Sequence, residues 1–463
     1  MKSVASLFGK SRDQHGGDND DNSSGFPLPP PPPEQCELDK ATMAKLQQHG
    51  YSPSLIEAMQ EIIRTRALRY FVIDNSSSMT TQDGHQIFYT DKDPQQHQRR
   101  LNDQHSDPSQ DDSQHSNGSS NSNGSGPFIE ILDHCRRWDE LVTCIEHVIE
   151  ISALLSSPTR FRLLNKSYPA IYESNFDVCH QYRQRTVQKQ VDHAMAVIRA
   201  AEPEGSTPLT LHVSEIYRQV QQMESELRAQ NRRVSVTICT DGLPTSPHFG
   251  DDGEHHQQEF VKALTKFQSL PVSIVFRLCT DDPKVVEFYH SVNHKLGCRS
   301  PNFTIDVLND YEHEAQEVYK KNPWLTYSLQ LHRMREMALH DGLLSLLDVQ
   351  TLATNRILAT KLCQLVLGQE ALNTEDSSRS NYSSTTANMS DAKWKNFLQS
   401  VETAAQDTPK QWNPIYKRPK KLISAKKLAG GVPASFLKHP HLIQHKHHHA
   451  LGHGQLNAII EDS

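Results

Sequence analysis

Short apolar runs rich in β-branched and aromatic residues alternate along this chain with longer stretches whose apolar residues recur at helical spacing. Residues 67–73 (Ala-Leu-Arg-Tyr-Phe-Val-Ile), 161–164, 234–240, 271–278 and 303–308 read as strands. Residues 138–155 carry Leu141, Ile145, Val148, Ile149 and Ala153 on one helical face, and 186–201, 209–229, 259–270 and 283–294 are helical by the same test. Strands alternating with helices specify βαβ units, hence an α/β fold with a mostly parallel central sheet covered by helices on both faces. No internal repeat competes with this reading.

Composition locates what lies outside that core. At 463 residues, the length alone allows about three domains of ~150 residues. Yet only 36% of the chain is apolar, below the usual ~45–50%, and counting the 20 Gly in place of the 13 Tyr does not close the gap. The polar excess is concentrated. Residues 1–35 form a leader ending in Pro29 to Pro33, expected to be disordered and extended. Residues 94–126 hold a single large apolar side chain, Leu101, too little to offset the entropy of ordering, and are expected to be a disordered insertion. Residues 369–463 are expected to be a mostly disordered tail, first Ser/Thr/Asn-rich, then basic, then His-rich with His447, His448 and His449 in a row. Two helical extensions complete the plan: 36–66, broken at Gly50 to Pro53, and 311–368, broken at Asn322 and Pro323. The αβ domain itself is expected over 67–310.

Several classes are excluded or disfavoured. The balance of 48 Lys+Arg against 55 Asp+Glu rules out a uniformly basic nucleic-acid binder, leaving nucleic acid only to the tail. No run approaches the ~18 apolar residues of a membrane helix. The apolar run 4–8 is too short for a secretory leader of ~7–15 apolar residues. Cys36, Cys135, Cys144, Cys179, Cys239, Cys279, Cys298 and Cys363 are scattered without a Cys-x-x-Cys pair, which fits reduced thiols in the cytoplasm. The basic cluster Lys417-Arg418-Pro419-Lys420-Lys421, with Lys426 and Lys427, opens the nucleus as a second compartment, and a plain solvated segment as the alternative. Trp138 and Trp324 read as packing residues. There is no Gly-x-x-x-x-Gly-Lys-Ser/Thr loop, no His-Glu-x-x-His and no Gly-x-Ser-x-Gly elbow. An enzyme is therefore not expected.

In open α/β sheets ligands sit beyond the carboxyl ends of the strands. The first strand is followed by Asp74-Asn75-Ser76-Ser77-Ser78 and the strand 234–240 by Asp241-Gly242, while Gly205-Ser206-Thr207-Pro208 joins two helices. Alternate residues of an extended segment point the same way, so Asp74, Ser76 and Ser78 can converge as one carboxylate and two hydroxyls. That is an all-oxygen set for a hard cation, Mg2+ or Mn2+. Taken alone, Asp-x-Ser-x-Ser is equally a run of turn-capping serines.

Taken together, Asp74, Ser76, Ser78, Thr207 and Asp241 resemble the metal-ion-dependent adhesion site of the von Willebrand factor A (VWA) family, in the flavour of its intracellular eukaryotic members. The resemblance covers about half the chain, from Leu68 to Asp310. It implies a Rossmann-like VWA fold in which Asp74, Ser76 and Ser78 anchor the ion and Thr207 and Asp241 complete its shell, directly or through water. It further implies an open metal position filled by an Asp or Glu carboxylate of a partner protein. Ser77 stands where the family carries Gly, so a positive φ there would cost about 1 kcal/mol. The 94–126 segment would lie beside the site, as a surface insertion or as a tethered lid whose carboxylates visit the ion. Two other readings stay open: a metal-independent scaffold acting through the 311–368 helices, and a Mg2+-dependent phosphotransferase or hydrolase built on Asp74.

Overall fold

A computed structural model describes residues 38–90, 128–166, 173–179, 186–246, 253–297, 302–339, 342–372 and 390–430. The expected leader 1–35, the 94–126 insertion and the His-rich stretch therefore lie outside the described residues, as do Cys36 and Cys298.

The centre is a six-stranded sheet in the order β5-β4-β1-β6-β7-β8. Its strands are β1 (Arg66–Ile73), β4 (Thr159–Leu163), β5 (Asn175–Val178), β6 (Arg233–Thr240), β7 (Val272–Leu278) and β8 (Phe303–Leu308). All neighbours run parallel except the antiparallel edge pair β4–β5. Every residue of β1 and β7 is buried, as a parallel strand covered on both faces requires. The pleat sends alternate β1 residues to opposite sides. Phe71 and Ile73 join a cluster under α2 (Pro53–Thr65), α3 (Arg137–Leu154) and α4 (Val187–Ala200), while Tyr70 and Val72 pack under α5 (Leu209–Ala229), α6 (Glu254–Thr265) and α7 (Pro283–Leu296). The chain is thus α/β with a mostly parallel sheet, in a Rossmann-like arrangement.

The first strand has neighbours on both sides, β4 in one direction and β6 in the other. This is the point where strand order reverses, the place where open α/β sheets bind ligands beyond the carboxyl ends. Ile73 pairs with Leu163 and with Cys239, so Asp74 and the end of β6 leave the sheet side by side.

A feature absent from the sequence reading stands at this edge. Residues 84–90 and 128–135 form an antiparallel hairpin, β2 (Gly84–Thr90) and β3 (Phe128–Cys135), in register from Thr90↔Phe128 to His85↔Asp133, with a shift before Gly84↔Cys135. The 94–126 stretch therefore falls in sequence between two paired strands.

The helical extensions do not stand apart. Helix α1 (Lys40–Gln48) starts at Asp39, whose carboxylate accepts from Thr42 N, and Ser52 caps α2. Leu55, Ile56, Met59, Ile62 and Ile63 of α2 enter the same core as Phe71. Beyond β8, α8 (Tyr311–Lys321) stops at Asn322 as its sequence predicts, and α9 (Leu329–Glu336) and α10 (Arg356–Leu367) close the same face of the sheet.

The expectation of a mostly disordered tail over 369–463 needs correction over 390–430. Ser390 caps α11 (Asp391–Asp407), whose Trp394, Phe397, Val401 and Ala404 are buried at helical spacing. The chain continues through a small hairpin, β9 (Gln411–Asn413) with β10 (Arg418–Lys420), and a short helix, α12 (Ala425–Ala429). The basic cluster belongs to this folded part. Lys417 pairs with Glu312, Lys421 Nζ lies 3.0 Å from Glu402 Oε1, and Lys427 Nζ donates to Pro323 O at 3.2 Å. Trp138 and Trp324 are buried, as packing residues should be. Among the described residues no helix is long and apolar enough to cross a membrane.

Candidate metal centre

Asp74 is the first residue past β1 and still donates its N–H to Cys239 O of β6 at 3.0 Å. Its carboxylate is buried completely and held twice: Oδ1 accepts from Ser76 N at 2.9 Å and Oδ2 from Thr240 Oγ1 at 2.6 Å. The first bond turns the chain so that an extended Ser76 (φ −72, ψ 166) leads into a 3-10 turn over Ser77–Thr80. Ser76 Oγ and Ser78 Oγ then lie 3.1 Å apart, and Ser78 Oγ donates to Asp241 Oδ1 at 2.8 Å. Four of the five residues expected at the site are thus joined by short contacts. The fifth, Thr207, comes in on the neighbouring loop: a Cβ on Gly242 would stand 3.5 Å from its Oγ1, against the turn that follows Asp241. Thr207 is fixed by Thr245, which accepts from its N–H at 2.8 Å and donates back to its carbonyl at 3.0 Å.

The loops are stitched together by main-chain and side-chain bonds alike. Asn75 exchanges two bonds with the backbone of Asn165, and its carbonyl accepts from Glu204 N at 2.7 Å. Ser77 N donates to Gly205 O at 3.1 Å, and Gly205 N donates to Ser77 Oγ at 3.1 Å. Gly205 has φ +92, a conformation costly for any residue with a side chain. Ser77 does not share that conformation, so a serine at this position carries no left-handed strain; its hydroxyl ties two loops instead.

The electrostatics of this cluster are unusual for a protein interior. Burial, and then the neighbouring Asp241 carboxylate, push Asp74 up to about 7. Burial also raises Asp241, opposed chiefly by hydrogen bonds from Arg137 and Ser78. Arg137 was not anticipated from the sequence. It opens α3, donates Nη1 to Asp241 Oδ2 at 2.9 Å, and grips Asp83 with Nε and Nη2, each at 2.6 Å. No local motif marks it, because it reaches Asp241 across 104 residues. Thr240, likewise unanticipated, is more readable in hindsight: it is the last residue of the strand beside Asp74.

Tested against a divalent cation, this set fits. The donors are carboxylate and hydroxyl oxygens only, the chemistry Mg2+ and Mn2+ prefer. Asp74, Asp83 and Asp241 outweigh the single guanidinium of Arg137 by two charges when ionised, which is what a divalent ion would balance. Asp74, Ser76, Ser78 and Asp241 would hold the ion, with Thr207 beside them. Two other groups, His255–His256–Glu259 and Asp281–Asp310–His313, each place donor atoms within 4.8 Å of one another at the surface. Compared with known protein families and with curated proteins, the chain matches none.

Proposed function

We propose that this chain is a VWA-type protein that binds Mg2+ or Mn2+ at Asp74, Ser76, Ser78, Thr207 and Asp241. Through that ion it holds an acidic side chain of a protein partner. The observation that carries the reading is the contact path from Asp74 through Ser76 and Ser78 to Asp241, at the reversal point of a parallel sheet. A bound ion would supply positive charge with an open coordination position. The chain's own part is to fix the hydroxyls by the Asp74–Ser76 turn, to brace the serine loop against its neighbours while Ser78 stays exposed, and to keep its own carboxylates few. No nucleophile or proton relay is needed, which separates this reading from a Mg2+-dependent phosphotransferase. We further propose that the protein works inside the cell, where its scattered thiols stay reduced.

A second reading has one observation in its favour. The Arg137–Asp241 ion pair already places a cation on the site, as a metal-independent scaffold acting through its C-terminal helices would. Thermal unfolding separates the two, since a ligand that binds only the folded state raises its stability. With Mg2+ added, the wild-type chain should melt several degrees higher than with chelator, and Asp74→Ala should not respond. Equal curves for wild type in both conditions favour the scaffold, and turnover of a generic phosphoester would favour the enzyme.

A further inference from the structure

Arg137 occupies a position that a simple cation site would leave empty. Its N–H donates to Thr81 O at 3.0 Å, which fixes the start of α3 beside the serine loop. Its guanidinium forks onto Asp83 and reaches Asp241 with the remaining nitrogen, Nη1. The Asp241 side chain is 0% exposed, that of Arg137 12% and that of Asp83 51%. Water therefore screens the contact with Asp241 least. A guanidinium does not lose its proton in a protein, so this charge is permanent. It takes one oxygen of Asp241, Oδ2, while the other, Oδ1, faces Ser78.

We propose that Arg137 sets the cation affinity of the site: it is a built-in positive charge that competes with the incoming ion for Asp241. This rests on the metal-binding reading above and adds to it a residue outside the ligand set. The competition has two parts. The guanidinium uses lone-pair capacity of a ligand carboxylate, and it repels a divalent ion arriving on the same group. Asp83 works in the opposite sense. By holding Nε and Nη2 in a planar fork, it draws the guanidinium outward and supplies a negative charge of its own. The effective affinity is then a balance between Asp83 and Asp241 for one arginine, adjustable without touching a metal ligand.

The test is isothermal titration of the full chain with MnCl2 alone. Arg137→Gln should bind Mn2+ at least tenfold more tightly than wild type, and Arg137→Lys should fall between the two. Asp83→Asn should bind at least threefold more weakly. The sign discriminates, because an arginine that merely positions Asp241 would lower the affinity when removed. If wild type binds Mn2+, Asp74→Ala does not, and Arg137→Gln binds equally or more weakly, the proposal fails while the metal site stands. If neither wild type nor Arg137→Gln binds, both fail. If Arg137→Gln does not fold, Asp83→Asn decides, since Asp83 is half exposed: affinity equal to wild type or tighter overturns the proposal.

Discussion

Thr240 Oγ1 donates to Asp74 Oδ2 across 2.6 Å, joining the last residue of β6 to the first residue beyond β1. The bond exists because the two strands are parallel neighbours in register, so their carboxyl ends emerge together. It gives a fully buried carboxylate a donor that water cannot replace. Replacing Thr240 by Val keeps the shape and removes the donor. The expected cost is about 2 kcal/mol of stability near neutral pH, with no cation added. Denaturant unfolding checks it, and a cost below the fitting error would show that the bond contributes nothing.

Ser77 bridges two of the loops around the site. Because its φ is not positive and its hydroxyl bonds Gly205, a glycine in its place should weaken the protein. Ser77→Gly is expected to lose about 1 kcal/mol by chemical denaturation. A gain in stability would mean that the serine is strained after all.

Gly205 is the reverse case. Its φ is +92, and a Cβ there would come within 2.8 Å of Asn165 Oδ1, whose Nδ2 donates to Ser206 O. Gly205→Ala should cost about 2 kcal/mol. It should also weaken cation binding, since Gly205 is bonded to the serine loop through Ser77. Calorimetric unfolding and Mn2+ titration measure the two effects separately.

The strand ends were the part of this region most legible in the sequence. Asp74, Ser76 and Ser78 stood out by following an apolar strand at alternate spacing, and Asp241 by following another; only the resemblance joined them, with Thr207, into one set. The hairpin could not be found in the same way. Among the described residues its strands, Gly84–Thr90 and Phe128–Cys135, pair only with each other, and a low-complexity stretch separates them in sequence. Arg137 and Asp83 were equally hidden, since charged residues near a helix start carry no sign of their distant partners. The helix α11 is a different kind of miss: Trp394, Phe397, Val401 and Ala404 after Ser390 are a complete amphipathic signal. It was obscured by the polar composition around it.

Away from the site, Arg335 is buried among Glu314, Asp306 and Asp348, three carboxylates for one guanidinium. Burial above all raises Glu314 to about 8; Arg335 opposes the rise, and Asp348 and Asp306 add to it. The folded state thus holds a proton that the unfolded chain, with a pKa near its ordinary 4.5, has released. From this group, stability is greatest below about 4.5 and declines as pH rises toward 8. Glu314→Gln removes the titration. Relative to that variant, wild type should lose about 2 kcal/mol or more between pH 5 and pH 8. A relative gain over that range would contradict the assignment.

The central claim is that the serine loop and Asp241 together hold a divalent ion. A crystal of the full chain grown with Mn2+ and measured for anomalous scattering tests it most directly. The account predicts one strong peak among Ser76 Oγ, Ser78 Oγ and the Asp241 carboxylate, lost in Asp74→Ala. No peak there at saturating Mn2+, or a peak only at Asp281, Asp310 and His313, would contradict it.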